Sequence, residues 1–141
     1  MYKHMDINKI FKMFENEEVV GKEFKEYTKS PYFMISAFKK FYQNRQVEEK
    51  YIEQFIKSIP HNVKVDPQYV RVTQEKILFE RTFNFLKYID VDKEVHIHAL
   101  KELKDKVLIL GLEESLYYFE NKEVYENCAI IKKILDKIKS L

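Results

Sequence analysis

The chain predicts an all-α fold, a single-domain bundle of about six to eight helices, and three observations carry that expectation. Only two glycines and three prolines punctuate 141 residues, against average usages of about 7% and 5%. These are the residues that end helices and build tight turns. Apolar residues recur at i, i+3, i+4 and i+7 through most of the chain, the one-sided stripe of an amphipathic helix. The hydrophobic fraction is 45%, with 11 Phe and 10 Tyr, which excludes a wholly disordered chain. A domain of this length buries roughly two-thirds of its unfolded surface, enough for a core without staples.

The elements follow in order. Asp6 is a good N-cap, and Ile7, Ile10, Phe11 and Phe14 then share one helical face. A second, shorter helix follows the polar break at Asn16-Glu17-Glu18, with Val20, Phe24 and Tyr27 as its stripe and Gly21 weakening it. Ser30-Pro31 is the clearest boundary, since serine caps and proline suits the first helical position. The helix beyond it sets Met34, Phe38 and Phe41 on one face, with Ile35 and Tyr42 beside them. The next runs over Val47, Tyr51, Phe55 and Ile59 and stops at Pro60.

Residues 60 to 72 admit two readings. Val63/Val65 and Val70/Val72 alternate about Asp66-Pro67 as a very short hairpin near 63–72 would; alternatively Asp66 caps and Pro67 opens a helix. The expectation adopted is an extended loop, then a helix from about Thr73 to Ile89. Its wide stripe, Phe79, Phe83 and Leu86 flanked by Leu78, Phe85 and Ile89, marks it as the central helix. Asp92 begins another helix, whose seam of Leu100, Leu103, Val107 and Leu110 is closed by Gly111 in a left-handed conformation. A short helix bearing Leu112, Leu116 and Phe119, a break at Asn121-Lys122, and a long last helix with the seam Val124, Cys128, Ile131, Leu135 and Ile138 complete the chain.

The net charge of +2 points neither to a general polyanion binder nor to an acidic mimic of nucleic acid. The single cysteine excludes an intrachain disulfide and suits a reducing cytoplasm. The opening MYKHMDINKIF lacks an apolar core of signal-peptide length, and the apolar runs are too short to span a membrane. A cytoplasmic protein is therefore expected. The abundance of Lys, Ile, Asn, Tyr and Phe is the bias of an AT-rich genome and hints at a low-GC bacterium, a phage or a mobile element.

No constellation has the form of a catalytic, metal or phosphate site. His96 and His98 are two apart, so on a helix they point in different directions and do not chelate one ion; His96 falls on the Leu100/Leu103 side as a partly buried structural histidine. Cys128 sits in an apolar seam, where free cysteine behaves as a core residue. The acid pairs Glu17-Glu18, Glu48-Glu49 and Glu113-Glu114 read as first-turn charges that complement the helix dipole. No cofactor, metal or enzymatic activity is expected.

The stretch 22–45 is the exception in charge, six cations against two acids, a local net of +4. Lys22, Lys25, Lys29, Lys39, Lys40 and Arg45 alternate with aromatics, of which Tyr32, Phe33 and Tyr42 fit the apolar seam least well and are expected to be exposed. Cations neutralise phosphates and exposed rings stack on unpaired bases, so these nine residues are the candidate contact set for nucleic acid or another partner. The opposing expectation is that most of the rings are core faces with lysines outside them.

The segment 119–134, an acidic turn followed by aromatic-Glu-x-small-Ala-x-x-basic, resembles the UVR helical hairpin of excision-repair and chaperone-adaptor proteins over less than a quarter of the chain. Lys133 stands where that motif carries an acidic residue. The resemblance implies a C-terminal helical hairpin suited to pairing with another helix. Taken together, the expected function is a non-enzymatic protein acting through binding to another protein or to itself, as a regulator, inhibitor or assembly subunit. The alternative is a nucleic-acid binder, or a small subunit of a ribonucleoprotein, using 22–45.

Overall fold

The computed structural model describes residues 29–141. The helices expected over 7–14 and 20–27, and with them Lys22 and Lys25, lie outside the described residues. Within them the chain forms six helices and no strand: α1 Pro31–Gln43, α2 Arg45–Ser58, α3 Pro67–Leu86, α4 Glu94–Leu103, α5 Lys106–Asn121 and α6 Tyr125–Ser140. The fold is all-α, as the periodicity requires.

The proline at the start of α1 fixes its first turn, and the Ser30 carbonyl accepts the Met34 amide at 3.0 Å. Met34, Ile35, Phe38 and Tyr42 then line one buried stripe. That stripe packs on α3, α4 and α5, making α1 the hub of the fold. The sequence assigned this place to the helix around Phe83, but α3 enters the core only with its second half, through Leu78, Phe79, Thr82, Phe83 and Leu86. Its first half has no buried residue.

Residues 63–72 form no hairpin, and α3 opens at Pro67 rather than near Thr73. The Asp66 carboxylate accepts the Gln68 amide at 3.0 Å, an N-cap bond beside a proline already set to helical φ. An isolated two-stranded ribbon is marginal in water, and Val63 and Val65 are exposed, with nothing buried to hold such a ribbon.

The expected seam through Leu100 to Leu110 is likewise two elements. α4 ends at Leu103, and the Asp105 carboxylate caps α5 by accepting the Leu108 amide at 2.8 Å. Leu110 is 49% exposed. Gly111 does not end a helix; it lies inside α5 with an ordinary helical φ. Its role is steric, because a Cβ there would stand 2.9 Å from Phe38 Cε1 and 3.1 Å from Tyr42 Cγ. The left-handed helix end falls instead on Glu123, φ 59°. There the Val124 amide bonds to the Phe119 carbonyl at 2.9 Å and the Glu123 amide to the Glu120 carbonyl at 3.1 Å, the paired bonds of a Schellman motif.

The break at Asn121-Lys122 and the last helix fall where the sequence put them. α5 and α6 pack side by side, with Cys128, Ile131, Leu135 and Ile138 buried and Val124 exposed at the N-cap. Burial pushes the Cys128 thiol pKa up, as suits a core residue. Phe83 is buried and meets Phe119 edge to face at 5.4 Å between centroids.

Candidate interaction surface

The connection from α1 to α2 is nearly continuous helix. Asn44 keeps right-handed helical angles, its amide bonds to the Lys40 carbonyl, and its own carbonyl accepts the Glu48 amide. Arg45 fixes this elbow to the body. Its guanidinium pairs with Glu114 of α5, lies 3.5 Å from Glu49, and covers the Tyr42 ring at 5.0 Å. Burial and the Glu114 carboxylate push the Tyr42 hydroxyl up to about 12, against the pull of Arg45. Burial alone would lower the Arg45 pKa, but Tyr42, Glu114 and Glu49 outweigh it and the guanidinium stays charged.

Several residues expected to meet a partner are committed inside the chain. Lys39 donates to the Leu103 carbonyl at 3.1 Å and pairs with Asp105 at 2.5 Å, closing the end of α4 and the cap of α5 together. Burial would raise the Asp105 pKa, yet Lys39 and the Leu108 amide hold it below the usual carboxylate range. Tyr42 is 8% exposed and stacks on Phe38, so the expectation that it lies at the surface is corrected: the Gly111 gap gives its ring a place in the core. Tyr32 is half-buried and hydrogen-bonds to His98 Nδ1. Phe33 is half-buried against Phe85. Lys29 and Lys40 are exposed. Of the seven candidates among the described residues, these two alone are exposed.

The other candidates have separate partners. His96 Nδ1 accepts the Asp90 amide at 3.0 Å, whereas His98 Nε2 lies 3.6 Å from Glu102. Glu113 and Glu114 lie in the middle of α5 rather than in its first turn; Glu114 serves Arg45, and the dipole argument holds for Glu48 in α2.

The helix expected over 47–59 is present as α2, but the sequence reading did not give its exposure. None of its residues is buried. Val47 is 51%, Tyr51 66% and Phe55 55% exposed, so this stripe looks into water. A second stripe, Ile52 and Ile56, is half-buried, and α2 packs on α3. The sequence carried a signal for this. Residues 47/51/55 and 52/56/59 form two adjacent apolar rows, more than one helix contact covers.

Between α2 and α3 runs an open groove of ≈ 470 Å³, lined by Tyr51, Ile52, Tyr69, Val70, Thr73 and Ile77, with Glu48 and Arg81 among its lining. Tyr69 is 69% and Ile77 48% exposed. On the opposite side, α2, α3 and α5 frame a cleft of ≈ 750 Å³. Its charges are largely paired: Arg71 bonds to both oxygens of Glu53 at 2.6 and 3.0 Å, and Arg45 holds Glu114. One side of this hairpin is therefore largely apolar and open, while the other sets paired charges beside Ile52, Phe79 and Tyr118.

Compared with protein-family models, curated proteins and solved structures, the chain matches none. The hairpin implied by the UVR resemblance is present as α5–α6, but its apolar side is part of the chain's own core, through Phe119, Cys128, Ile131 and Leu135. No helix among the described residues is long and apolar enough to cross a membrane.

Proposed function

We propose that this is a non-enzymatic binding protein, a regulator, inhibitor or assembly subunit, that engages another polypeptide through the open side of the α2–α3 hairpin. One observation carries the reading: Val47, Tyr51 and Phe55 keep helical register along α2 and yet face water. An exposed apolar patch on a helical hairpin is a surface built for a partner, and tyrosine and phenylalanine are the anchors that protein interfaces favour. A helix laid in the groove between α2 and α3 would bury its own apolar stripe against both rows at once.

The nucleic-acid reading is the weaker one. Lys39, Arg45 and Tyr42 already serve internal contacts, and recruiting them would require breaking those contacts first.

The test is affinity capture from the source organism with the wild-type chain, Tyr51→Glu/Phe55→Glu, and Tyr88→Glu as a control; Tyr88 is 67% exposed and lies off the groove. A partner retained by the wild type and the control but lost by the double variant is the expected result. Partners that bind all three equally would remove the α2–α3 face from consideration.

A further inference from the structure

We infer that the open α2–α3 face is covered by the same face of a second copy, the two hairpins closing into a four-helix bundle about a two-fold axis. This rests on the protein-binding reading and names its partner.

Three features point to this occupant. The first is geometry. Glu48 reaches Gln74 and Glu53 reaches Arg71, so α3 runs backwards as α2 runs forwards, and the pair is an antiparallel hairpin. Such a hairpin with one apolar side open is half of an antiparallel four-helix bundle, whose core needs inward rows from all four helices.

The second is charge. In a two-fold contact a face meets itself, so a face of one sign repels its own copy. Here Tyr51, Tyr69, Val70, Thr73 and Ile77 are uncharged, and the two ionic residues of the groove, Glu48 and Arg81, are of opposite sign. The other α2 charges lie elsewhere, with Glu49 and Glu53 on the opposite cleft.

The third is area. Tyr51, Phe55, Tyr69 and Ile77 are 66%, 55%, 69% and 48% exposed, on the order of 500 Å² of side chain in water given what such residues bury when covered. Two copies together reach about 1,000 Å², the size at which a specific interface begins. An interface of this size is a weak one, so the dimer is expected in concentrated solution and dissociates on dilution.

Sedimentation equilibrium of the full chain from about 1 µM to about 1 mM tests this, a span that brackets such an affinity. The apparent mass should rise from 17.2 kDa towards twice that value and go no higher. Tyr51→Glu/Phe55→Glu should weaken association at least about 100-fold, since each copy loses two buried anchors and the interface gains four like charges. Its circular dichroism should be unchanged, because both side chains are exposed in the single chain. Tyr88→Glu should dimerise as the wild type does. A wild type that stays monomeric throughout overturns the inference and leaves the partner-binding proposal standing. A dimer that the double variant forms equally well also overturns it, by placing the interface elsewhere.

Discussion

The body and the α2–α3 arm are built from the same kind of sequence and reach opposite ends. In α1, Met34, Ile35, Phe38 and Tyr42 recur at helical spacing and are buried. In α2, directly beyond the Asn44 elbow, Val47, Tyr51 and Phe55 recur at the same spacing and are exposed. Even within α3 the contrast holds: Phe79 and Phe83 are buried, whereas Tyr69 and Ile77 are half to two-thirds exposed. Periodicity tells that a helix has an apolar face. It does not tell whether its own chain supplies the cover.

The comparison is broken most directly by truncating one aromatic from each region. Phe83→Ala should cost about 3–5 kcal/mol, the loss of a buried ring plus the cavity it leaves. Phe55→Ala, measured at a dilution where the chain is monomeric, should change stability by less than about 0.5 kcal/mol, as surface substitutions do. Denaturant unfolding of the two variants gives both numbers. A Phe55 loss near that of Phe83 would mean that the arm face is covered within a single chain.

Backbone space separates the regions next. Gly111→Ala adds a methyl 2.9 Å from the fully buried Phe38 ring, and overpacking of this kind costs about 1–3 kcal/mol. Better helix propensity returns at most about 1 kcal/mol, so a net loss of about 1–2 kcal/mol is expected. Gln54→Ala, at an exposed position in α2, should be neutral or slightly stabilising. A stabilised Gly111→Ala would show that α1 and α5 can separate at their crossing.

Much of the body was legible because its cues are local. The Ser30-Pro31 start follows from the fixed φ of proline, although the expected serine cap is not made; the break at Asn121-Lys122 and the burial of Cys128 and Phe83 follow from spacing. The errors were failures to weigh such cues against an apolar pattern. Asp105 is as good a cap as Asp66, yet the row of leucines hid it, and both carboxylates take a backbone amide of the helix they open. The candidate surface was barely legible. Whether Lys39 faces solvent depends on Asp105, 66 positions away, and whether Arg45 is free depends on Glu114; no helical period reports such long-range pairs.

A smaller effect comes from the turn that holds α5 to α6. Glu123 takes φ 59°, a region that costs an ordinary side chain roughly 1–2 kcal/mol and glycine almost nothing. Glu123→Gly should therefore stabilise the chain by about 0.5–1 kcal/mol, part of the gain being lost to the greater freedom of the unfolded glycine. The body would then lie further above the arm in resistance to hydrogen exchange, with the gain largest at the α5–α6 amides. No change in the unfolding midpoint would mean that the left-handed turn is not what sets this end of the hairpin.

The smallest effect expected is one of pH, and it too belongs to the body. His96 Nδ1 accepts the Asp90 amide, so the folded chain holds the imidazole neutral with its proton on Nε2. Burial lowers the His96 pKa and Lys93 adds to this, with Asp90 opposing. The unfolded chain binds that proton near the ordinary value of about 6.5, while the folded chain resists it. Between the two values the unfolded state carries more protons, so stability falls as the pH drops below about 6.5 and is complete above it. Thermal unfolding of wild type and His96→Asn at pH 7.5 and at pH 5.5 isolates the effect, since the carboxylates titrate in both. The wild type should lose more of its midpoint over that interval. Equal losses would show that the Asp90–His96 bond does not couple the α3–α4 connection to proton binding.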